Sequence, residues 1–303
     1  MSAVTGDSIG LFGQAIIQIG AGGSAGFVEV CIMHPMDLVK TRMQLQVKSS
    51  VKNSMYYTGV LDCMKKMYTH EGLSSFWKGI VPPIIAETPK RAVKFFTFEQ
   101  YKKYFLWGAS APTPLTFALA GFCAGVTEAI LVNPFEVVKV QLQSNRQRLK
   151  NTPSTFSVTR DIIRKNGLGL DGLNKGLTAT AMRNGVFNSF YFGFYHSVKG
   201  YIPPNKDPWV EFFSKVGLGF VAGTTASCLN IPFDVAKSRI QGPQSDIKYK
   251  GTLRTMKIIY QREGFLALYK GLLPKVLRLG PGGAIMLVVY DYMHAFLSFH
   301  MIN

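Results

Sequence analysis

At 303 residues and a net charge of +17, the chain is long and basic enough to invite a nucleic-acid reading, but its basic residues gather in connectors and no nucleic-acid module interleaves them with aromatics. Hydrophobic residues make up 47% of the chain, and its four cysteines, Cys31, Cys63, Cys123 and Cys228, lack Cys-x-x-Cys spacing, so they read as buried small hydrophobes. With no metal-ligand cluster, nucleophile elbow or phosphate-cradling glycine loop, an enzyme is the least expected class.

Taken in order, residues 1–8 read as a short tail without the basic start of a signal peptide or the Arg/Ser-rich character of a cleaved presequence. Residues 8–28 then run for 21 positions without a charge, residues 104–127 for 24 and residues 216–233 for 18, lengths that suit a bilayer crossing. The first long helix is predicted over about 12–44 with a bend near Pro35, where the missing amide and the ring disturb the preceding turn. Glu29 lies on it. After a loop, Leu61, Met64 and Tyr68 at helical spacing predict a short amphipathic helix lying against the membrane surface. Phe156 and Ile163, then Leu253, Met256 and Tyr260, repeat that pattern in part.

The second long helix is expected over about 80–105, the third over 115–145, the fourth over 177–200, the fifth over 210–241 and the sixth over 272–297. The even-numbered ones carry charges such as Glu87, Lys94, Arg183 and Arg278, which a membrane helix tolerates when it faces a water-filled interior. The long connectors 45–80, 144–176 and 242–271 hold 5, 7 and 6 Lys/Arg, while residues 1–34 hold none. By the positive-inside tendency the connectors share one side and the termini lie on the other.

One motif returns three times. Pro35-Met-Asp37-Leu-Val-Lys40-Thr-Arg-Met-Gln44 recurs as Pro134-Phe-Glu136-Val-Val-Lys139-Val-Gln-Leu-Gln143 and as Pro232-Phe-Asp234-Val-Ala-Lys237-Ser-Arg-Ile-Gln241, 99 and then 98 residues apart. Downstream of each come Glu71-Gly72, Asn166-Gly167 and Glu263-Gly264, followed by Lys78-Gly79, Lys175-Gly176 and Lys270-Gly271. Upstream sit the pairs Gly22/Gly26, Gly121/Gly125 and Gly219/Gly223, marks of close helix packing. A period this long predicts three copies of one unit with pseudo-threefold geometry. If the odd-numbered helices surround an axis, each acid reaches the next helix's lysine: Asp37 to Lys139, Glu136 to Lys237 and Asp234 to Lys40. Gln44, Gln143 and Gln241, one turn further on, are candidates to brace those bonds.

These three Pro-x-Asp/Glu-x-x-Lys copies resemble the signature of the mitochondrial carrier family, and the resemblance covers essentially the whole chain. It implies an all-α membrane protein of six transmembrane helices in three pseudo-threefold repeats, each with a short surface helix between its two membrane helices. The repeats would span 9–107, 108–206 and 207–303. It further implies a multi-pass protein of the mitochondrial inner membrane, working by alternating access as a monomer without a cofactor, in a bilayer that includes cardiolipin as a candidate lipid. The acid and lysine ring becomes the matrix gate. A second, cytoplasmic gate is implied at the far ends of the even helices, where Glu99 would meet Lys199 and Asp291 would meet Lys102. The third pair is replaced by His196 facing His294.

By the same resemblance, three substrate contact points fall seven and eight residues after each Lys-Gly glycine: Ala86-Glu87, Arg183-Asn184 and Arg278-Leu279. Two arginines there point to an anion, because a guanidinium fork matches a carboxylate. Lys90, Arg91 and Lys94 follow Glu87 on the same helix and add cations, while Asn184 or Asn188 suits a keto oxygen. Arg followed by a neutral polar residue at the second contact point is similar to the family's keto acid and carboxylate carriers. The stretch Glu87-Thr-Pro-Lys-Arg-Ala-Val-Lys-Phe-Phe-Thr-Phe-Glu-Gln-Tyr-Lys102 narrows this, implying exchange of 2-oxoadipate and 2-oxoglutarate and a link to lysine and tryptophan catabolism. A citrate or other di- or tricarboxylate exchanger is the alternative within transport; a proton leak or a non-transporting receptor is the alternative outside it. Glu29 and Glu128 are candidates for a coupled proton, with hydrogen-bonded packing as the plainer reading.

Overall fold

The computed structural model describes residues 11–47, 56–108, 111–200, 208–243, 249 and 251–302. The expected tail 1–8 and most of the turn at Pro203–Pro208 lie outside these residues. Six long helices, α1 (Leu11–Leu45), α3 (Val81–Tyr104), α4 (Pro114–Ser144), α6 (Leu177–Lys199), α7 (Pro208–Gln241) and α9 (Leu272–Ile302), alternate with three short ones. The short helices are α2 (Val60–Glu71), α5 (Thr155–Asn166) and α8 (Thr252–Glu263), each joining the two long helices of one repeat. The fold is all-α. The stretches Pro114–Ser144, Trp209–Gln241 and Phe265–His300 are long and apolar enough to cross a membrane.

Helix continues unbroken through Pro35, Pro134 and Pro232. Where helices must stop, the chain supplies local signals. Thr113 caps α4 in a reciprocal arrangement with Thr116, and Ser154 caps α5 through the Ser157 amide. The Glu/Asn-Gly steps end α2, α5 and α8 because Gly72, Gly167 and Gly264 adopt positive φ, a conformation in which a side chain is strained. Each Lys-Gly glycine sits against the last turn of the next odd helix. A Cβ on Gly79 would meet Leu142 Cβ at 3.1 Å, one on Gly176 would meet Ile240 Cγ2 at 3.0 Å, and one on Gly271 would meet Gln44 Cγ at 3.0 Å. Both glycine markers thus serve the closed end of the bundle.

The helices pack in a ring, α1 on α3 and α9, α3 on α4, α4 on α6, α6 on α7 and α7 on α9. Burial is inverted relative to a water-soluble bundle. The largest fully buried side chains include Arg42, Lys78, His34, Gln44, Gln143 and Gln241, while Phe27, Ile32, Phe96, Ile130, Val221 and Val288 face outward. A broad apolar exterior around a polar interior matches a lipid surround. Helix α2 shows two apolar faces where the spacing predicted one, and Met64, expected on the outer face, packs with the inner one. Leu61 is 81% exposed and Tyr68 also points out, whereas Val60, Cys63 and Met67 pack onto Leu38 and Val39 of α1. The outward set belongs to the membrane surface and the inward set to the core.

At the closed end, buried arginines tie one repeat to the next. Arg42 grips Glu71 with two nitrogens at 2.8 and 3.0 Å and donates to the carbonyls of Gln143 and Asn145, the terminus of α4. Lys78 joins the same carboxylate and also reaches the Gln147 carbonyl. Repeat three copies the design, with Arg239 on Glu263 and on the carbonyls of Gln44 and Gln46, and Lys270 completing it. Repeat two places Gln141 and Asn166 at those positions, and Gln141 gives a single amide bond to the Gln241 carbonyl.

Removing one partner from such a buried group leaves an uncompensated charge, at a cost of about 3 to 5 kcal/mol. Arg42→Ala is expected to lower the melting temperature in detergent far more than Gln141→Ala, read by thermal unfolding of the purified protein. Burial alone would raise the Glu263 carboxyl, but the bonds from Arg239 and Lys270 outweigh it and hold it below its ordinary 4.5. A depressed carboxyl stabilises fully above the unfolded value and loses that contribution as pH falls through the folded one. The stability gap between wild type and Glu263→Gln is therefore expected to be full at pH 7 and to shrink below about pH 4, measured as paired melting curves.

Candidate functional site

A cavity of about 670 Å³ lies inside the ring, lined by all six long helices. Its floor is made by the recurring motif. Asp37 of α1 accepts from Lys139 of α4 at 2.9 Å, Glu136 of α4 pairs with Lys237 of α7, and Asp234 of α7 meets Lys40 of α1 at 2.5 Å. The motif sits near the end of each odd helix, so three acids and three lysines close a circle where those ends converge.

Each floor acid also holds a second cation, from an even helix. Arg278 Nη1 donates to Asp37 at 2.6 Å, Arg183 Nη2 reaches both oxygens of Glu136 at 2.9 and 3.1 Å, and Lys275 stands 3.3 Å from Asp234. Arg183 adds a longer contact of 3.8 Å to Asp234. Two helical turns separate Arg183 and Arg278 from the glycines that open their helices, which sets them just above the floor. The arginines remain reachable, with side chains 18% and 32% exposed. Lys275 escaped the sequence reading; its only signal is its place three residues before Arg278, on the same helical face.

Higher up, α3 presents a different arrangement. Glu87 accepts from Lys90 at 3.2 Å and from Arg91 Nε at 2.6 Å. Arg91 also donates to Glu29 of α1 at 2.8 Å, and the other oxygen of Glu29 accepts from Arg278 at 3.0 Å. Lys94 stands apart from carboxylates, 5.6 Å from the ring centres of Phe95 and Phe192. Cation and ring attract there, but the charge stays available to an anion.

Asn184 and Asn188 are buried against α4, where Gly121 and Gly125 admit the α6 backbone: Cβ atoms added there would fall 2.7 Å from the Asn188 carbonyl oxygen and 2.5 Å from that of Asn184. Asn188 Nδ2 donates to Glu128 at 3.4 Å, and Asn184 Nδ2 is buried without a partner. The lining carries nine Lys/Arg and six Asp/Glu side chains, an excess of three cations. That excess suits a polyanion, and guanidinium forks suit carboxylates.

The structure redirects two expectations. Gln44, Gln143 and Gln241 do not bond to the floor ion pairs. Gln44 accepts from Ser238 at 2.7 Å, Gln241 donates to Asn133 at 3.0 Å, and the Gln143 amide has no partner. One turn beyond the lysines, Gln44 and Gln241 bond polar side chains of neighbouring helices, and Gln44 and Gln143 still line the cavity. At the opposite end, Glu99 pairs with Lys102 inside α3 at 2.6 Å, and among the described residues Lys199 and Asp291 form no ion pair. His196 stacks on Phe117 at 3.6 Å and His294 lies beside Tyr290, so those histidines do not face each other.

The profile of the family described as "Mitochondrial carrier protein" matches residues 13–108, 110–206 and 208–301. The chain is 60% identical over 294 residues to the mitochondrial 2-oxodicarboxylate carrier of Bos taurus, covering 96% of this chain and 97% of that protein. It is 59% identical over 293 residues to the Homo sapiens protein of the same name, with 96% and 97% covered. It is 39% identical over 294 residues to the mitochondrial 2-oxodicarboxylate carrier 2 of Saccharomyces cerevisiae, with 93% and 94% covered.

Because the Gly125 contact is backbone against backbone, side chains cannot relieve it. Gly125→Ala is expected to cost about 1 to 3 kcal/mol by overpacking, seen as a lower melting temperature in detergent, while Gly22→Ala, which meets open space, leaves it unchanged.

Proposed function

The chain belongs to the mitochondrial carrier family, and on that premise we propose that it is an inner-membrane antiporter exchanging 2-oxodicarboxylates such as 2-oxoadipate and 2-oxoglutarate. The observation that supports this reading best is the convergence of Arg183 and Arg278, from two different helices, on one cavity with an excess of cations. A short diacid has a carboxylate at each end, and two guanidinium forks answer one or both of them. Lys90, Arg91 and Lys94 supply further cations from α3, and the partnerless Asn184 amide or Asn188 suits the 2-oxo group.

Transport follows from competition. In the closed-floor state Arg278 is engaged by Asp37 and Arg183 by Glu136. An incoming carboxylate takes over those guanidiniums, and Asp37 and Glu136 are each left with a lysine alone, while Asp234 keeps Lys40 and Lys275. The matrix gate of Asp37, Lys40, Glu136, Lys139, Asp234 and Lys237 is thereby loosened, and Glu99, Lys102, Lys199 and Asp291 pair across the other end as the three repeats rock. A substrate moves this equilibrium only by its differential affinity for the states, so the empty protein stays put and exchange is obligatory. The repeats 9–107, 108–206 and 207–303 act as the moving units within one chain, in a bilayer with cardiolipin at its surface.

The test is homo-exchange of labelled 2-oxoglutarate in proteoliposomes. Uptake is expected only with internal counter-substrate and to be inhibited by 2-oxoadipate more strongly than by citrate; flux indifferent to internal substrate overturns antiport. Arg183→Ala and Arg278→Ala are each expected to cut uptake at least about 30-fold, in line with the roughly 2 to 5 kcal/mol lost on truncating a buried charged pair. Both proteins should remain monodisperse in detergent, and wild-type uptake by both removes the site.

A further inference from the structure

Glu29 stands where threefold symmetry breaks. The corresponding position is Glu128 in repeat two, which binds Asn188, and Ala226 in repeat three. Of these three positions, among the described residues, only Glu29 bridges two cations from different helices, Arg91 of α3 at 2.8 Å and Arg278 of α9 at 3.0 Å. The surroundings accommodate this bridge. A Cβ on Gly282 would fall 3.3 Å from Glu29 Oε1, and one on Gly26 would fall 3.0 Å from Glu87 Cγ and 3.6 Å from Arg91 Nε. Without side chains at those two glycines, the carboxylate and both guanidiniums meet between α1, α3 and α9.

We propose that Glu29 is a positioning and specificity residue for the exchanged anion. This rests on the dicarboxylate reading above and deepens it. A guanidinium offers five donors in a fixed fork, and Glu29 takes up one nitrogen of Arg91 and one of Arg278. With Arg91 also held by Glu87 and Met286 and Arg278 also held by Asp37, Glu29 fixes where the two guanidiniums stand on the cavity wall, which favours one short diacid geometry. The same carboxylate removes one positive charge from the lining. Nine cations against six acids leave three in excess, and neutralising Glu29 raises that to four. Extra positive charge favours an anion with a third carboxylate, so Glu29 acts against tricarboxylates as much as for dicarboxylates.

The experiment uses the full-length protein in proteoliposomes loaded with 2-oxoglutarate, and compares wild type, Glu29→Gln and Glu29→Asp. Wild-type exchange of 2-oxoglutarate tests the underlying function; only if it is present do the variants test this residue. Glu29→Gln keeps the shape and loses the charge. It is expected to raise KM for 2-oxoglutarate about tenfold, with kcat changed less than about twofold, and to improve competition by citrate relative to 2-oxoglutarate. Glu29→Asp keeps the charge and should hold the wild-type competitor ratio while KM rises less. Should Glu29→Gln not survive purification, Glu29→Gln combined with Arg91→Gln restores the net charge and is expected to return the competitor ratio to wild type without restoring KM. A wild-type KM and competitor ratio in Glu29→Gln overturns the proposal, as does an equal collapse of kcat in both single variants, which would mark a merely structural carboxylate.

Discussion

A charge withdrawn from water inside a helix bundle must be answered by another, and almost every feature of this molecule answers that demand. The floor acids are the clearest case, since each carries two cations: a lysine from the next odd helix, and an arginine or lysine from an even helix. The first set closes the circle. The second set lines the cavity. In the proposed mechanism closure and recognition draw on the same carboxylates, so an anion in the cavity acts on the floor without any intervening relay.

Much of this was legible in the sequence, because three copies of a motif fix which residues share a level and a face. The long helices followed from charge-free runs and the repeat period, and the partners within the floor circle from the motif spacing once the odd helices are placed around an axis. What spacing could not supply was the rotational phase of one helix against another. Arg183 resting on Glu136, Lys275 on Asp234 and Glu29 between Arg91 and Arg278 join helices whose relative rotation no single repeat encodes. The glutamines turn on the same unknown: Gln44 bonds Ser238 and Gln241 bonds Asn133, side chains of neighbouring helices, and not the floor ion pairs. The far-end pairs proposed for the other gate are not formed among the described residues, where Glu99 holds Lys102 of its own helix.

Departures from symmetry carry the individuality of the protein. Arginine with glutamate and lysine ties the closed end in repeats one and three, but Gln141 and Asn166 leave the α4 to α7 seam with neutral amides, including Gln241 on Asn133 and on Thr180. Neutral amide bonds hold less strongly than buried ion pairs break, so the three seams are unequal in the force they resist. The cavity shows the same principle, with a diacid site assembled from unlike residues at like positions.

The ring also closes where the polypeptide does not. Lys40 near the end of the first long helix meets Asp234 near the end of the fifth, and α1 and α9 lie side by side, close enough that a Cβ on Gly20 would touch Leu297 Cδ1 at 2.9 Å. No peptide bond enforces that seam, yet it is built like the others. To the folded bundle the order of the three units is cyclic. A circular permutant opened in a connector and rejoined across the old termini would preserve every floor pair.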